Sequence, residues 1–403
     1  MKILLLTHTM PRFKADTNSA SFISELATSL SKENDVTVLT PYDPLFKKEK
    51  RAFKVITYKY IWPNSWHKSG YSRVLSGDKK LPLYMAILST LMSCSALFHL
   101  VYFSFREKYD LVSAHWVIPN GFISFLSSLV TRIPYTVTIP GSDVYLGGKG
   151  AFFRVAAGFA CGSASFVVSD SRHYLDQLSK LGINPKNTAV IRYGVDTKAL
   201  KPGRPNSKIL SEWGVPKNSK VVMCLGRFVE KKGFIYAINA MPSILKKHKN
   251  TTLVLIGDGP LKSLFQRQIK KLKIEKNVFL PGSVPYSERA KYYNLADIFI
   301  MPSIKDGEGN IDASPVAMMD AMSCGVPVVA TKYAGDKSLL VPNMTGQVVK
   351  EKNSKQISDA IVSMLNAGDK KSMYRGVREI AQKNFSLTAA AKSYANIFQN
   401  LSR

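Results

Sequence analysis

The sequence has no Cys-x-x-Cys pair. Its four cysteines, Cys94, Cys161, Cys224 and Cys324, stand singly along 403 residues. That spacing excludes a zinc cage or a disulfide framework. It fits a reducing compartment, with the thiols expected as small buried hydrophobes. There is no low-complexity tract and no short repeat. The loop from Thr9 to Thr17 has no Gly-x-Gly-x-x-Gly, and neither does Gly257-Asp258-Gly259-Pro260, so a nicotinamide-dinucleotide fingerprint is missing. A Gly-x-x-x-x-Gly-Lys-Ser/Thr phosphate loop is missing as well. Met1–Thr7 is too short for the apolar core of a secretory leader and is expected to be a strand. Acid is scarce: 28 Asp and Glu stand against 56 Lys and Arg, for a net charge of +28.

That field attracts polyanions, whether nucleic acid, anionic lipid or phosphorylated substrates. Both halves of the chain are basic, so no charged tail explains it. The densest run is 44–80, with ten basic and two acidic residues. It precedes Leu81–Phe105, where 25 residues carry no Lys, Arg, Asp or Glu. The segment is long enough to cross a bilayer. Pro82, Ser89, Thr90, Ser93, Ser95, His99 and Ser104 dilute it, so a helix buried in a core or resting on a membrane is expected instead. A basic stretch beside an apolar one points to peripheral contact with an anionic bilayer. No helix-turn-helix and no aromatic-basic single-strand signature occurs, so no nucleic-acid partner is expected.

Hydrophobic residues make up 45% of the chain, enough for ordinary cores. Short β-branched runs alternate with amphipathic stretches throughout. Strands are expected at Lys2–His8, Asp35–Pro41, Phe53–Tyr58, Asp110–Trp116, Pro134–Gly141, Ser165–Asp170 and Thr188–Tyr193. In the second half they are expected at Lys220–Gly226, Thr252–Gly257, Asn277–Pro281, Asp297–Pro302, Pro327–Thr331 and Gln347–Lys350. Helices fall between them, among them Phe22–Ser31, Gly121–Thr131, Arg172–Leu181, Gly233–Lys247, Pro260–Leu272, Ser287–Leu295, Pro315–Ser323 and Ser354–Ala367. This alternation predicts an α/β chain of two Rossmann-like doubly wound domains. The expected bounds are 1–196 and 220–385, joined by a Pro- and Lys-rich linker at 197–219, with a last helix at 386–402 packing back on the first domain. Such sheets bind ligands beyond the carboxyl ends of their strands, so two facing domains would enclose a cleft.

One window carries most of the chemistry. After Pro302 closes a strand, Ser314-Pro315 reads as a helix start, with a capping side chain followed by a first-turn proline. Gly325 reads as the stop, enforced by Pro327. A helix N-terminus at the carboxyl end of a strand is an anion site. Asp312 precedes the cap and Asp320 follows eight residues on. A helix start beside a carboxylate could bind a diphosphate with its N–H groups while the acid reads sugar hydroxyls. The other reading is a capping acid and an acid on a solvated face. A second window, Gly226-Arg227-Phe228-Val229-Glu230-Lys231-Lys232-Gly233, follows the buried strand Val221–Cys224. It sets Arg227 and Lys232 five residues apart, a planar fork and a point charge suited to a diphosphate, or else an ordinary basic surface loop. His115-Trp116 and Gly141-Ser142-Asp143 end strands of the first domain.

With these motifs in hand, the chain resembles the retaining nucleotide-sugar glycosyltransferases of family 4, whose fold is GT-B. Gly226-Arg227-Phe228 with Lys232-Gly233 resembles the family's Gly-Arg-hydrophobic and Lys-Gly element. Gly257–Pro260 resembles its Gly-x-Gly-Pro loop, and Phe279-Leu280-Pro281-Gly282 its base-side loop. Asp312 to Gly325 resembles its Glu-x7-Glu segment with the trailing Ala-Met-x-x-Gly. In the first domain, His115-Trp116, Gly141-Ser142-Asp143 and Ile191–Asp196 match further elements. The resemblance implies that Gly226, Arg227 and Lys232 hold the donor diphosphate, with Ser314, Pro315 and Val316 at the helix start. Asp312 would contact the donor sugar, Asp320 the ribose, and His115 the sugar near the reacting carbon. Transfer would proceed with retention, without a bound metal or other cofactor. The partners would be a UDP- or GDP-linked sugar and a glycan, lipid-linked or small-molecule acceptor. The setting would be cytoplasmic, with a peripheral seat on the inner face of the membrane left open.

The chain departs from the family pattern at several points. Both acids of the Glu-x7-Glu pair are Asp, each one methylene shorter; Glu308 could replace Asp312 but lacks its spacing to Asp320. Pro140 stands where relatives have a second His, Asn18–Ser21 lacks the usual Gly pair, and Ser338 stands near a usual late Glu. A nucleotide-sugar epimerase or hydrolase on the same fold, or a degenerate non-catalytic relative, are the remaining alternatives.

Overall fold

The computed structural model describes residues 1–13, 16, 19–71, 83–141, 150–307, 309–312, 316–334, 339–342, 344–368 and 370–401. These fall into two compact units, Met1–Gly194 with Leu387–Arg403, and Val195–Ser386.

Unit 1 is built on seven parallel strands: β1 (Lys2–Leu6), β2 (Asp35–Pro41), β3 (Lys54–Tyr58), β4 (Leu111–His115), β5 (Tyr135–Ile139), β6 (Phe166–Ser169) and β7 (Thr188–Val190). Their order is β3-β2-β1-β4-β5-β6-β7. β1 is almost wholly apolar and buried, as a strand covered on both faces must be. It pairs from Ile3↔Leu111 to Leu6↔Ala114 on one side and from Lys2↔Asp35 to Leu6↔Leu39 on the other. The order reverses between β1 and β4, which makes that point the switch of the sheet. The helices are α1 (Ser21–Leu30), α2 (Leu83–Glu107), α3 (Phe122–Thr131), α4 (Ala151–Gly162) and α5 (Arg172–Lys180). β3→β4, β4→β5 and β5→β6 cross in the same direction. Right-handed crossovers therefore put α2, α3 and α4 on one face, where α2 packs on α3 and α3 on α4. β1→β2 runs the other way and puts α1 on the opposite face.

Unit 2 has six parallel strands: β8 (Lys220–Leu225), β9 (Thr251–Ile256), β10 (Val278–Gly282), β11 (Ile298–Met301), β12 (Val328–Thr331) and β13 (Gly346–Val349). Their order is β10-β9-β8-β11-β12-β13, with the switch between β8 and β11. Its helices are α6 (Ser207–Glu212), α7 (Phe234–Lys247), α8 (Lys262–Leu272), α9 (Arg289–Tyr293), α10 (Val316–Ser323), α11 (Ser354–Leu365) and α12 (Lys370–Phe385). The final helix, α13 (Leu387–Leu401), belongs to unit 1. It packs on α1 and buries Tyr394 and Phe398 in that unit's core.

Several expectations need correction. Residues 197–219 form no free linker. Leu200 and Val215 are buried in the core of unit 2, α6 lies between them, and Arg378 donates to the carbonyls of Thr197 and Leu200. Pro and Lys dominate the composition there, but a few apolar residues fix the path. The helix expected at Ser287–Leu295 is broken into a tight turn at Tyr286–Glu288 and the short α9. α4, α6 and α12 were not anticipated. α4 carries Gly158 and Gly162, and α12 is polar apart from one narrow buried stripe, Met373, Val377, Ala381 and Phe385, four residues apart. Three cysteines are buried, but Cys94 is exposed on α2. α2 itself is not a core helix, because only 22% of its most apolar window is buried.

Candidate active site

In unit 2 the expected donor residues gather at the switch point. β8 is followed by Gly226, where a Cβ would meet the Lys232 Cε at 3.3 Å. The neighbouring strand β9 is followed by Gly257, where a Cβ would lie 2.0 Å from the Gly226 carbonyl oxygen. A Cβ on Gly259 would lie 2.8 Å from the backbone of Phe228. Both loops therefore touch backbone to backbone, which only glycine permits. Phe228 N–H donates to the Asp258 carbonyl at 2.8 Å and Leu261 N–H to the Phe228 carbonyl at 3.1 Å. The Phe228 ring is fully buried, edge-on to Phe234 and Phe265. Anchoring Phe228 inward leaves Arg227, the residue before it, exposed at the carboxyl end of the sheet.

The chain then makes a tight turn over Glu230–Lys232 and enters α7 through Gly233, at φ +65°. A Cβ there would sit 2.0 Å from the Pro302 carbonyl oxygen, just past β11. Ile304 N–H donates to the Lys231 carbonyl at 2.9 Å, locking the turn to the exit of β11. The loop beyond is folded on itself: Asn310 N–H donates to Asp306 Oδ1 at 2.7 Å and Gly309 N–H to the Asp306 carbonyl at 3.0 Å. It delivers Asp312 to Lys232, with Nζ 2.6 Å from Oδ2 and both side chains mostly buried. Two residues 80 apart in sequence thus form one charge-assisted hydrogen bond. Burial lowers the Lys231 pKa from its usual value; Lys232 and Arg227 lower it further, while Asp312 and Asp306 oppose them. Arg227, Lys231 and Lys232 therefore share one field with Asp306 and Asp312, while Glu230 of the same turn accepts from Gly307 N–H.

Asp320 departs from its expected place. It is 2% exposed, so it does not lie on a solvated face. Its Oδ2 accepts from Arg289 Nε at 2.9 Å, and Arg289 lies 3.8 Å over the ring of Tyr286. The side chain sits on the buried side of α10 and, as Asp rather than Glu, is one methylene shorter. No spacing in the sequence pointed to Arg289 or Tyr286, which come from a different strand-to-helix connection. Lys231 was legible only as the neighbour of Lys232. Val316 opens α10 and is half-buried. Ser314, Pro315, Glu308, Ser338, Asn18, Ser142 and Asp143 lie outside the described residues.

In unit 1 His115 ends β4, fully buried. Its Nδ1 lies 2.8 Å from the Tyr193 hydroxyl, while Nε2 has no hydrogen-bond partner among the described residues. His8, just past β1, packs against Trp116 with ring centroids 4.3 Å apart and the planes tilted by 48°. Asn120 donates to the His115 carbonyl at 2.7 Å and lies 3.3 Å from His8 Nδ1. Burial lowers the pKa of His115 to about 3 and that of His8 to about 4, so both rings are neutral at physiological pH. His115 can exchange hydrogen bonds but cannot supply positive charge.

Comparison with known proteins bears on the family and the fold. Residues 206–383 match the family "Glycosyl transferases group 1", and residues 22–194 match "Glycosyl transferase 4-like domain". A Bacillus subtilis protein provisionally named teichuronic acid biosynthesis glycosyltransferase TuaC is 28% identical over 261 residues, 64% of this chain and 61% of that one. A GDP-mannose-dependent alpha-(1-6)-phosphatidylinositol monomannoside mannosyltransferase of Mycolicibacterium smegmatis is 29% identical over 174 residues, 43% of this chain and 45% of that one. The chain spans about three fifths of the length of the first of these relatives. In fold it is similar to Anabaena Alr3699/HepE, crystallised with UDP, at a TM-score of 0.74 and 20% identity over 99% of this chain and 100% of that one. Two parallel-sheet Rossmann-like units and two matches that together span both place the chain in the group 1, family 4-like glycosyltransferases of GT-B fold.

Proposed function

We propose that this chain transfers a sugar, with retention and without a metal, from a UDP- or GDP-linked donor to a glycan, lipid-linked or small-molecule acceptor. The observation that carries the reading is the cluster at the β8–β11 switch, where Lys232 is held over Gly226 by Asp312, with Arg227 exposed beside it. Cleaving a glycosyl phosphate builds negative charge on the departing diphosphate. Cations already fixed in place stabilise that charge without reorganising. Arg227 offers a planar fork to the phosphates and Lys232 a point charge. When a diphosphate competes for Lys232, the Asp312 carboxylate becomes available to the donor sugar. His115 is the proposed sugar contact in unit 1. Its neutrality confines it to hydrogen bonding, so it cannot serve as a counter-charge. A double displacement would need a carboxylate nucleophile beneath the sugar. No acid was evident near His115 in the sequence, so same-face attack guided by the leaving phosphate is the proposed route. A lipid-linked or envelope-glycan acceptor and a cytoplasmic seat at the membrane complete the reading.

Thermal shift against a panel of nucleotide sugars tests the donor side. UDP or GDP sugars should raise the melting temperature, and Arg227→Ala should abolish the rise. No stabilisation by any nucleotide, or stabilisation unchanged in the variant, sinks the assignment. Release of free sugar or its epimer with no acceptor present would favour the hydrolase or epimerase instead. A trapped glycosyl-enzyme would end the same-face route, and loss of turnover in EDTA would end the metal-free one. Stabilisation by donor without any turnover would identify the remaining alternative, a degenerate non-catalytic relative.

A further inference from the structure

The outer side of unit 1 carries a feature that the transfer chemistry leaves unused. α2, α3 and α4 lie side by side over one face of the sheet. Each turns apolar residues inward, as a layer over a sheet must. On α2 these are Met85, Leu88, Met92, Ala96 and Leu100. Each also turns apolar residues outward. Along α2, Leu83, Ile87, Leu91, Phe98 and Phe105 recur at helical spacing, with Leu83 79% and Phe98 67% exposed. Leu129 on α3 and Phe152 and Phe159 on α4 continue the exposed surface. So many exposed large apolar side chains on three adjoining helices are unusual for a protein facing only water.

Charge selects the occupant. α2, α3 and α4 together hold one carboxylate, Glu107, and it is engaged by Lys2 at 3.1 Å and Lys54 at 3.3 Å. The β3–α2 connection carries exposed Lys59 and Lys68. It is fastened to the flank of α2 by Ser95 donating to the Lys59 carbonyl and by Ser69 meeting Ser89. Trp62 and Trp66 are exposed on the same connection, the residue type that settles at a lipid headgroup level. Arg106 follows the apolar side of α2, Arg132 closes α3, and Arg154 stands between Phe152 and Val155 on α4. Two copies meeting through this face would set cation against cation, whereas an anionic surface neutralises the rim. Nor can α2 cross a bilayer without stripping the sheet of the residues that cover it.

We propose that the outward face of α2, α3 and α4 seats the protein on an anionic lipid bilayer, with the three helices lying in the interface. The apolar side chains enter the acyl boundary and the flanking Lys and Arg meet lipid phosphates. The seat is independent of the donor chemistry.

Flotation of the full chain with phosphatidylcholine vesicles, with and without phosphatidylglycerol, tests it. Binding should need phosphatidylglycerol and weaken with salt. The double variant Phe98→Glu/Phe152→Glu should partition about tenfold less or weaker still, since each ring leaves the apolar layer, while its melting temperature and its stabilisation by donor nucleotide stay those of the parent. In the unaltered protein, brominated lipid should quench the emission of exposed Trp62 and Trp66. The proposal fails if the protein stays unbound at low salt, if the variant floats like the parent, or if brominated lipid leaves emission unchanged. It also fails if light scattering finds a dimer that the variant disperses while lipid has no effect. Failure of the donor assignment would instead leave flotation intact and remove nucleotide stabilisation.

Discussion

The two units put opposite chemistry at the same place in the same kind of sheet. At the β1–β4 switch of unit 1, two imidazoles are buried until they are neutral. At the β8–β11 switch of unit 2, Lys232 is paired with Asp312 and Lys231 feels Arg227 and Asp306 as well. The backbone explains part of the contrast. In unit 2, glycines at 226, 233, 257 and 259 let loops press against one another and leave Arg227 exposed beside the half-buried lysines. In unit 1, aromatic residues close over the strand ends: Trp116 packs tilted against His8, and the Tyr193 hydroxyl meets His115. Glycine builds a rim for charge, and rings build a dry pocket for neutral hydrogen bonding.

The sharpest way to break the rim is Gly257→Ala. The new methyl would face the Gly226 carbonyl oxygen at 2.0 Å, on a backbone with φ +141°. Overpacking and strain together should cost about 4 kcal/mol. Chemical denaturation should place that loss in unit 2, and a loss under about 1 kcal/mol would mean that the loop contact is not what shapes the rim. Lys232→Ala comes next. It removes one preorganised charge from a developing anion, so kcat/KM should fall about 10²- to 10³-fold. Lys232→Arg should recover part of it, since charge returns without the same fit. Equal losses in both variants would point to shape rather than charge.

Asp320→Asn tests the departure from the family pattern. The variant leaves Arg289, mostly buried, without its counter-charge, so stability should fall by about 3 kcal/mol. Urea midpoints measure this. Unchanged stability with a raised donor KM would instead make Asp320 a ribose contact.

The same position shows where reading the sequence stops. Strand and helix alternation fixed the two sheets, because buried parallel strands are short apolar runs that composition alone betrays. β2 agrees residue for residue, and most other bounds differ by one or two. Arg227, Lys232 and Asp312 were legible because each lies in a loop just past an apolar run, where the doubly wound topology puts ligands. The Arg289 partner of Asp320 was not, since a salt bridge between separate connections leaves no periodicity. The same holds for α2: its lack of charge marked it in the sequence, but which apolar residues face outward required the sheet it covers.

Acid should separate the units most gently and most informatively. His8 and His115 titrate near 4 and 3 when folded, because burial penalises their charged forms, against about 6.5 for an exposed imidazole. His67 is lowered too, by burial first and by Lys59 second. All three belong to unit 1. A folded value below the unfolded one means that the unfolded chain binds protons first. Stability is then complete above about pH 6.5 and drains as pH falls toward the folded values, by at most about 1.4 kcal/mol per pH unit for each ring. Asp16, held low because bonds from Arg12 and Ser19 outweigh its burial, adds its own loss only at lower pH, below the ordinary carboxylate range. Amide exchange, corrected for its intrinsic pH dependence, should therefore show unit 1 opening more readily at pH 5 than at pH 7, with unit 2 little changed. His115→Gln should flatten the slope between pH 6.5 and 4. Equal acid sensitivity in both units would mean that water reaches His8 and His115, and the contrast between a dry switch point and a charged one would fail.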